Sequence, residues 1–294
     1  MSREQYLLPS AQRAARAVEK RKLILRFLRE EIWADTANIG ELLQVKPAAV
    51  SRTLQRLSEQ GLVRSHQIPI TGGNLTLHGI TTHGQAMATE EGESVCEKVF
   101  SPSRVSSVYA RHTLDIQLLR IGAERAGWHH WVNADRVEKW PAGQARPDAF
   151  VQDLLGRRVA VECERTIKSP KRYCDILNAW LQGIRRGEVN RVVWVSPDPR
   201  VRDRLRQIIT SITHVEVAGQ KIVIPRDRFE NISFLTYSEW PSSCSIRAIR
   251  PPRAGRDMHA QRWRVRIFKF HVPHFGNGSK PDRAFPSRCA LARR

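Results

Sequence analysis

Three things are scarce in this sequence, and each absence narrows the possibilities. No apolar run reaches the roughly 18 residues that a membrane-spanning helix needs, and no basic-then-apolar leader opens the chain, so a cytoplasmic location without membrane contact is expected. The five cysteines (Cys96, Cys163, Cys174, Cys244, Cys289) are scattered with no C-x-x-C pair, which excludes a disulfide framework and a zinc knuckle and leaves free thiols. Acid is short: 49 Lys and Arg stand against 29 Asp and Glu, a net charge of +20. A surplus of that size excludes polycationic partners and implies a polyanion, most simply nucleic acid bound in a salt-sensitive way, with a membrane surface as the other candidate.

What is present fits two domains in 294 residues. From Ala14 to Ile32, the residues Ala17, Leu23, Ile24, Phe27, Leu28 and Ile32 recur at helical spacing with basic residues between them. Thr36 is placed to cap a short helix over 37–43. Pro47 suits the first position of a third helix that runs to about Gln60 and stops at Gly61. Leu62–His66 reads as a strand, Pro69–Asn74 as a glycine-rich wing and Leu75–Ile80 as the return strand. This order predicts a winged helix-turn-helix domain over residues 14–98. Val50, Leu54 and Leu57 face its core. Pro47, Ala48, Ser51, Arg52, Gln55 and Arg56 line the outward face, where Ser51, Arg52 and Gln55 are expected to reach bases or phosphates in a major groove. Arg56 and the wing residues Gly72, Gly73 and Asn74 are expected on the DNA backbone. A winged helix used for protein contacts or dimerisation is the alternative.

Thr81-Thr82 caps a further helix to about Glu91, and Pro102 with its serines marks a linker near 100–107. A second domain is expected over 105–241. Its first helix spans about 107–126, with His112 and Asp115 three apart on one face. Arg191–Ser196 is a continuous apolar run of the kind a central strand gives, 199–213 an amphipathic helix and Ile232–Tyr237 a last strand. The fold class expected is α/β (α+β over the whole chain), with a central mixed sheet in the second domain.

The stretch from Arg146-Pro147-Asp148 to Tyr173 carries the candidate chemistry. Residues 148–155 and 158–164 read as two strands split by a Gly156-Arg157 turn. Strand alternation puts Glu162 and Glu164 on one face, roughly 7 Å apart, and the turn brings Asp148 across the ladder close to Glu164. Like charges this close need a cation or several donors. Oxygen ligands in this arrangement suit Mg²⁺ or Mn²⁺, which take few protein carboxylates and keep waters for a phosphate. Lys168, four residues after Glu164, is placed to stabilise developing charge. Ser169 and Pro170 start a helix whose stripe is Ile176, Leu177, Trp180, Leu181 and Ile184 and which ends at Gly187, with Tyr173 in its first turn and Lys171 and Arg172 offering phosphate contacts. A plain solvated strand face, with Glu164 paired to Arg165 or Arg158, is the competing reading.

A Pro-Asp, a turn and an acidic pair at the end of the next strand resemble the PD-(D/E)XK restriction-endonuclease-like superfamily. The fuller string Glu162-x-Glu164-x-x-x-Lys168-Ser169-x-x-Arg172-Tyr173, behind Arg146-Pro147-Asp148, looks like the MobC-type relaxases of mobilisable plasmids and the wider replication-relaxation proteins. The resemblance departs at one place: Glu164 stands at the lysine of the (D/E)xK triplet, and Lys168 takes that part from the next turn of chain. It implies a site- and strand-specific, metal-dependent DNA endonuclease that nicks a plasmid transfer origin to start conjugative mobilisation. Its partners are then the duplex origin, the nicked single strand, a relaxosome accessory protein and a coupling protein. The nucleophile is Tyr173 or metal-bound water, and Glu124 marks where nucleases of this fold often carry an extra acid on their first helix.

Residues 247–294 hold thirteen Lys or Arg against two Asp. Trp263, Phe268, Phe270 and Phe275 among them suit stacking on single-stranded bases, and Trp263–His271 could form a strand; a basic tail over 242–294 is expected. The other function class is a non-catalytic winged-helix regulator of plasmid replication or transcription with a relic nuclease domain.

Overall fold

A computed structural model describes residues 9–137, 146–217 and 219–241. The basic tail 242–294 and its expected strand lie outside the described residues. The first helix, α1 (Ser10–Glu31), buries Ile24, Leu25, Phe27 and Leu28 along one stripe. α2 (Thr36–Leu43) starts one residue earlier than the sequence implies, because the Asp35 carboxylate accepts from the Asn38 N–H at 2.8 Å and caps it. α3 (Pro47–Glu59) has Pro47 at its first position and Val50, Leu54 and Leu57 buried. These stripes meet Ala34, Ile39, Leu62, Val63 and Ile80 in one core.

β2 (Val63–Ile70) and β3 (Gly73–Ile80) pair antiparallel in a hairpin longer than expected, so the wing narrows to a turn at Thr71-Gly72. β1 (Trp33–Asp35), a short strand absent from the sequence pattern, pairs with the other edge of β3. α4 (Thr82–Ala88) is capped by Thr81, whose hydroxyl accepts from Gly84 N at 3.0 Å. The expected linker near 100–107 is packed instead. Phe100 is fully buried, its N–H donates to the Ile80 carbonyl at 3.0 Å, and its ring lies so close to Gly79 that a Cβ there would overlap it. Glycine is required at 79 for that approach.

The second half alternates helices with a five-stranded mixed sheet. In chain order it runs α5 (Ala110–Arg125), β4 (His129–Asn133), β5 (Ala149–Gln152), β6 (Arg158–Cys163), α6 (Pro170–Arg185), β7 (Arg191–Ser196), α7 (Pro199–Ser211), β8 (His214–Val217), β9 (Gln220–Val223) and β10 (Ile232–Thr236). The sheet order is β10-β7-β6-β5-β4, with β4–β5 and β5–β6 antiparallel and β6–β7 and β7–β10 parallel. β8 and β9 make a separate hairpin. Leu119 and Ala123 of α5 cover one face of the sheet over Val151, Val159, Val161 and Val193. Leu177 and Trp180 of α6, with Leu205 and Ile209 of α7, cover the other over Phe150, Ala160, Trp194 and Phe234. Buried on both sides, β7 needs the continuous apolar run it has.

Helix α5 belongs to both halves. Its Ile121 enters the core of the winged helix. Asn38 donates to the Leu114 carbonyl at 2.8 Å and to Gln117 at 3.1 Å, while Gln117 donates to the Trp33 carbonyl at 2.7 Å. All described residues accordingly lie in one compact unit, within 1–248.

Candidate nucleic-acid interface and acidic site

The outward face of α3 is open as the spacing implied. Pro47, Ala48, Ser51, Arg52, Gln55 and Arg56 are all exposed, as are Gly72, Gly73 and Asn74 at the wing. The Ser51 hydroxyl donates back to the Pro47 carbonyl at 3.1 Å, and Gln55 donates to Glu59 at 3.0 Å. Arg52 and Arg56 have no partner among the described residues, so both guanidinium groups are available to phosphates or base edges. Behind this face His78 is buried between the Thr36 hydroxyl (2.9 Å) and the Ser65 hydroxyl (2.8 Å), and burial lowers its pKa.

The acidic site forms where β5 begins and β6 ends. Gly156, at a φ of +70°, makes the bend between them, a backbone conformation glycine adopts without Cβ strain. The register Ala149↔Val161, continued one step, sets Asp148 opposite Glu162. Asp148 thus stands two residues from Glu164 along β6, within the residue or two of register that the sequence left open. Side chains facing each other across such a ladder lie about 5 Å apart at Cβ. Asp148 is nevertheless drawn aside: Oδ2 accepts from the Cys163 N–H at 2.6 Å, and Oδ1 meets His112 Nε2 at 3.0 Å. Burial opposes the charging of His112, but the hydrogen bond and charge of Asp148 outweigh it and its pKa is raised. His112 thus joins the acids. Asp115, on the same helix face, takes Arg165 as its ion-pair partner and ties the loop after β6 to α5.

Glu162 and Glu164 share the sheet face under α6, as alternation requires. The Trp180 indole N–H donates to Glu162 Oε1 at 2.9 Å. Burial, then the charge of Asp148, pushes the Glu162 pKa well above the usual carboxylate range. Glu164 is buried, with Lys168 Nζ 2.5 Å from its Oε2 and the Tyr173 hydroxyl donating to the same oxygen at 3.2 Å. The competing pairs are not formed: Arg165 is on Asp115 and Arg158 stacks over Phe150. Tyr173 is fully buried, and burial followed by the Glu164 charge pushes its pKa up to about 12. Its hydroxyl also accepts from Lys168 N at 3.0 Å, so it braces the strand end instead of facing a substrate. Lys171 and Arg172 are exposed on the first turn of α6.

Two expectations need correcting. The three acids do not close into a ligand cluster: among the described residues no three His, Cys, Asp or Glu side chains are placed to hold one ion. Asp148 has turned to His112 and to the backbone, so the register rather than the spacing decides the matter. Glu162 Oε2 and Glu164 Oε1 accept no hydrogen bond among the described residues. One open oxygen on each of two neighbouring carboxylates still suits a divalent ion that fills its other positions with water. Glu124 does not belong to the site. It lies twelve residues beyond His112, roughly 18 Å along α5, where Arg120 Nε donates to it at 2.7 Å.

Sequence reasoning also passed over Trp180 as the partner of Glu162, although Tyr173, Leu177 and Trp180 at i, i+4 and i+7 place it on the face that meets β6. Ser169 holds the start of that helix by accepting from Arg172 N at 3.4 Å. Replacing Ser169 with alanine is expected to lower stability by about 1 kcal/mol, measured as a shift in the urea midpoint at unchanged slope.

The fold and this face define a winged-helix DNA-binding protein joined to a mixed α/β sheet domain. Residues 22–67 match the family model described as "Iron dependent repressor, N-terminal DNA binding domain". Among solved structures the chain is similar to a mutant of Lactococcus lactis ZitR in apo form, with 29% identity and a TM-score of 0.22; the match covers 26% of this chain and 58% of that one. No curated protein matches. Among the described residues no helix is long and apolar enough to cross a membrane.

Proposed function

We propose that the chain is a relaxase: its winged helix holds duplex DNA at a plasmid transfer origin, and the acids at the end of β6 nick one strand with the aid of Mg²⁺ or Mn²⁺. The observation that carries this reading is Glu162, a half-buried carboxylate set opposite Asp148 across the ladder and held by the Trp180 N–H, with no ion pair among the described residues and a pKa raised by burial and by Asp148. A fold gains nothing in stability from such a residue, and strained acids of this kind concentrate at working sites. The order α5, β4, β5–β6 hairpin, α6, β7, α7, β10 supports the resemblance to the restriction-endonuclease-like fold, and the Glu162-to-Tyr173 string supports the MobC-type resemblance.

On this reading Glu162 and Glu164 hold the ion, with Asp148 beside them. A divalent ion there supplies charge neutralisation at a phosphate and a more acidic water. Lys168 places an ammonium group at the same strand end, 2.5 Å from Glu164, ready to meet charge on a phosphate oxygen. Tyr173 orients Glu164, and its burial favours water over the phenol as nucleophile. Partners in a relaxosome and a coupling protein follow from the resemblance alone.

A second reading is a non-catalytic regulator. The repressor-type match at residues 22–67 favours it, as does Glu164 at the lysine position of the triplet. Supercoiled plasmid carrying candidate origin DNA separates the two. A relaxase converts it to open circles in Mg²⁺ or Mn²⁺ but not in EDTA, and Asp148→Asn and Glu164→Ala lose that conversion while still shifting duplex in gels. Undiminished duplex binding with no nicking in either metal leaves the regulator.

A further inference from the structure

The wing and the acidic site are gripped by the same turn of the same helix. Three consecutive residues at the start of α5 do this. Ala110 is fully buried and packs under the wing with Ile68, Leu77 and Phe100. Arg111 Nη2 donates to the Thr71 carbonyl in the wing turn at 3.2 Å. His112 Nε2 meets Asp148 Oδ1 at 3.0 Å. Wing turn and acidic site are therefore reached from consecutive residues of one helical turn.

The start of α5 beside the wing is exposed and carries a cation. Arg111 is exposed, and one of its five N–H donors is used on Thr71. Val108 and Tyr109, just before it, are 79% and 67% exposed. The charge of Lys168 acts on the His112 ring.

We propose that Arg111 is a phosphate-binding positioning residue and that the first turn of α5 leads DNA from the wing to the acids. The strand touched by the wing is then the strand presented to Glu162 and Glu164. The inference rests on the nicking reading for its last step, but its test uses binding alone.

The test is hydroxyl-radical footprinting of the full chain, in EDTA, on duplex that the chain itself selects from a random-sequence pool. Protection under the wing is expected to continue past the wing contact on that strand and not on its complement. Arg111→Gln keeps a donor for Thr71 but removes the charge. It should lose the extension while the α3 and wing protection remains, and it should lower the slope of log K against log salt by about 0.9, the release expected for one phosphate contact. Arg111→Lys should restore both. A footprint that ends at the wing, an extension on the complementary strand, or an Arg111→Gln footprint and slope like those of the wild type overturns the inference and leaves the nicking reading to its own assay. Failure to retain any duplex removes both.

Discussion

Replacing Glu31 with alanine is expected to destabilise the protein by about 3–5 kcal/mol, the largest stability effect of any single change considered. The Glu31 side chain is 1% exposed. It accepts from Arg120 Nη1 at 2.6 Å, from Arg136 Nη2 at 3.0 Å and from Asn133 Nδ2 at 3.1 and 3.3 Å, which joins α1 to α5 and to the end of β4. Burial lowers the Arg120 pKa, but the charges of Glu31, Glu30 and Glu124 outweigh it and raise it. Removing Glu31 takes away the most buried of those acids and leaves the largely buried Arg120 only the half-exposed Glu30 and Glu124, and breaking such a pair is worse than never having it. Urea unfolding measures the difference. The double variant Glu31→Leu/Arg120→Met should recover part of the loss, because no charge is then stranded. A loss below about 1 kcal/mol for Glu31→Ala would mean that water reaches the network and that it behaves as a surface pair.

That network was invisible in the sequence for a physical reason. Glu31 and Arg120 are 89 residues apart, and neither belongs to a local pattern: in α1 and α5 they read as ordinary polar positions between apolar ones. Local chemistry, in contrast, was legible. Pro47 and Gly61 bracket α3 because one lacks an N–H and the other tolerates a positive φ, here +68°. The continuous run Arg191–Ser196 marked β7 to the residue. The order of elements called for a strand before the hairpin, but its residues were not legible because β4 pairs irregularly, with a register shift between His129 and Val132 and His130 at a φ of +57°, so its side chains do not alternate cleanly. β1 was missed because three residues carry no period. Of the site, the shared face of Glu162 and Glu164 followed from alternation, whereas the position of Asp148 depended on register, which shifts neighbours by whole residues and which no single strand records.

The last expectation concerns Glu162→Gln, which should do opposite things to stability and to activity. Glutamine keeps an acceptor for the Trp180 N–H, now 2.9 Å from Glu162 Oε1, and removes the charge facing Asp148. A carboxyl whose folded-state pKa is raised contributes stability below its unfolded value of about 4.3 and loses it as pH rises through the folded value. At neutral pH without divalent ions the variant should therefore melt above the wild type, and the two curves should converge as pH falls below about 4.3. Mg²⁺ should reverse the order. A ligand at a hundred times its Kd stabilises by about 2.7 kcal/mol, so the wild type should gain several degrees of Tm while the variant, lacking one of the two open carboxylates, should gain little. Nicking of supercoiled plasmid should fall below detection in the same variant although its gel shift with duplex is unchanged. A variant that is less stable than the wild type at pH 7, and that responds to Mg²⁺ equally, would place Glu162 among the structural residues. The winged helix would then be the only working part among the described residues. If instead stability rises as activity is lost, the strain on Glu162 is there for a bound cation, because no gain in folding explains keeping a half-buried acid opposite another acid.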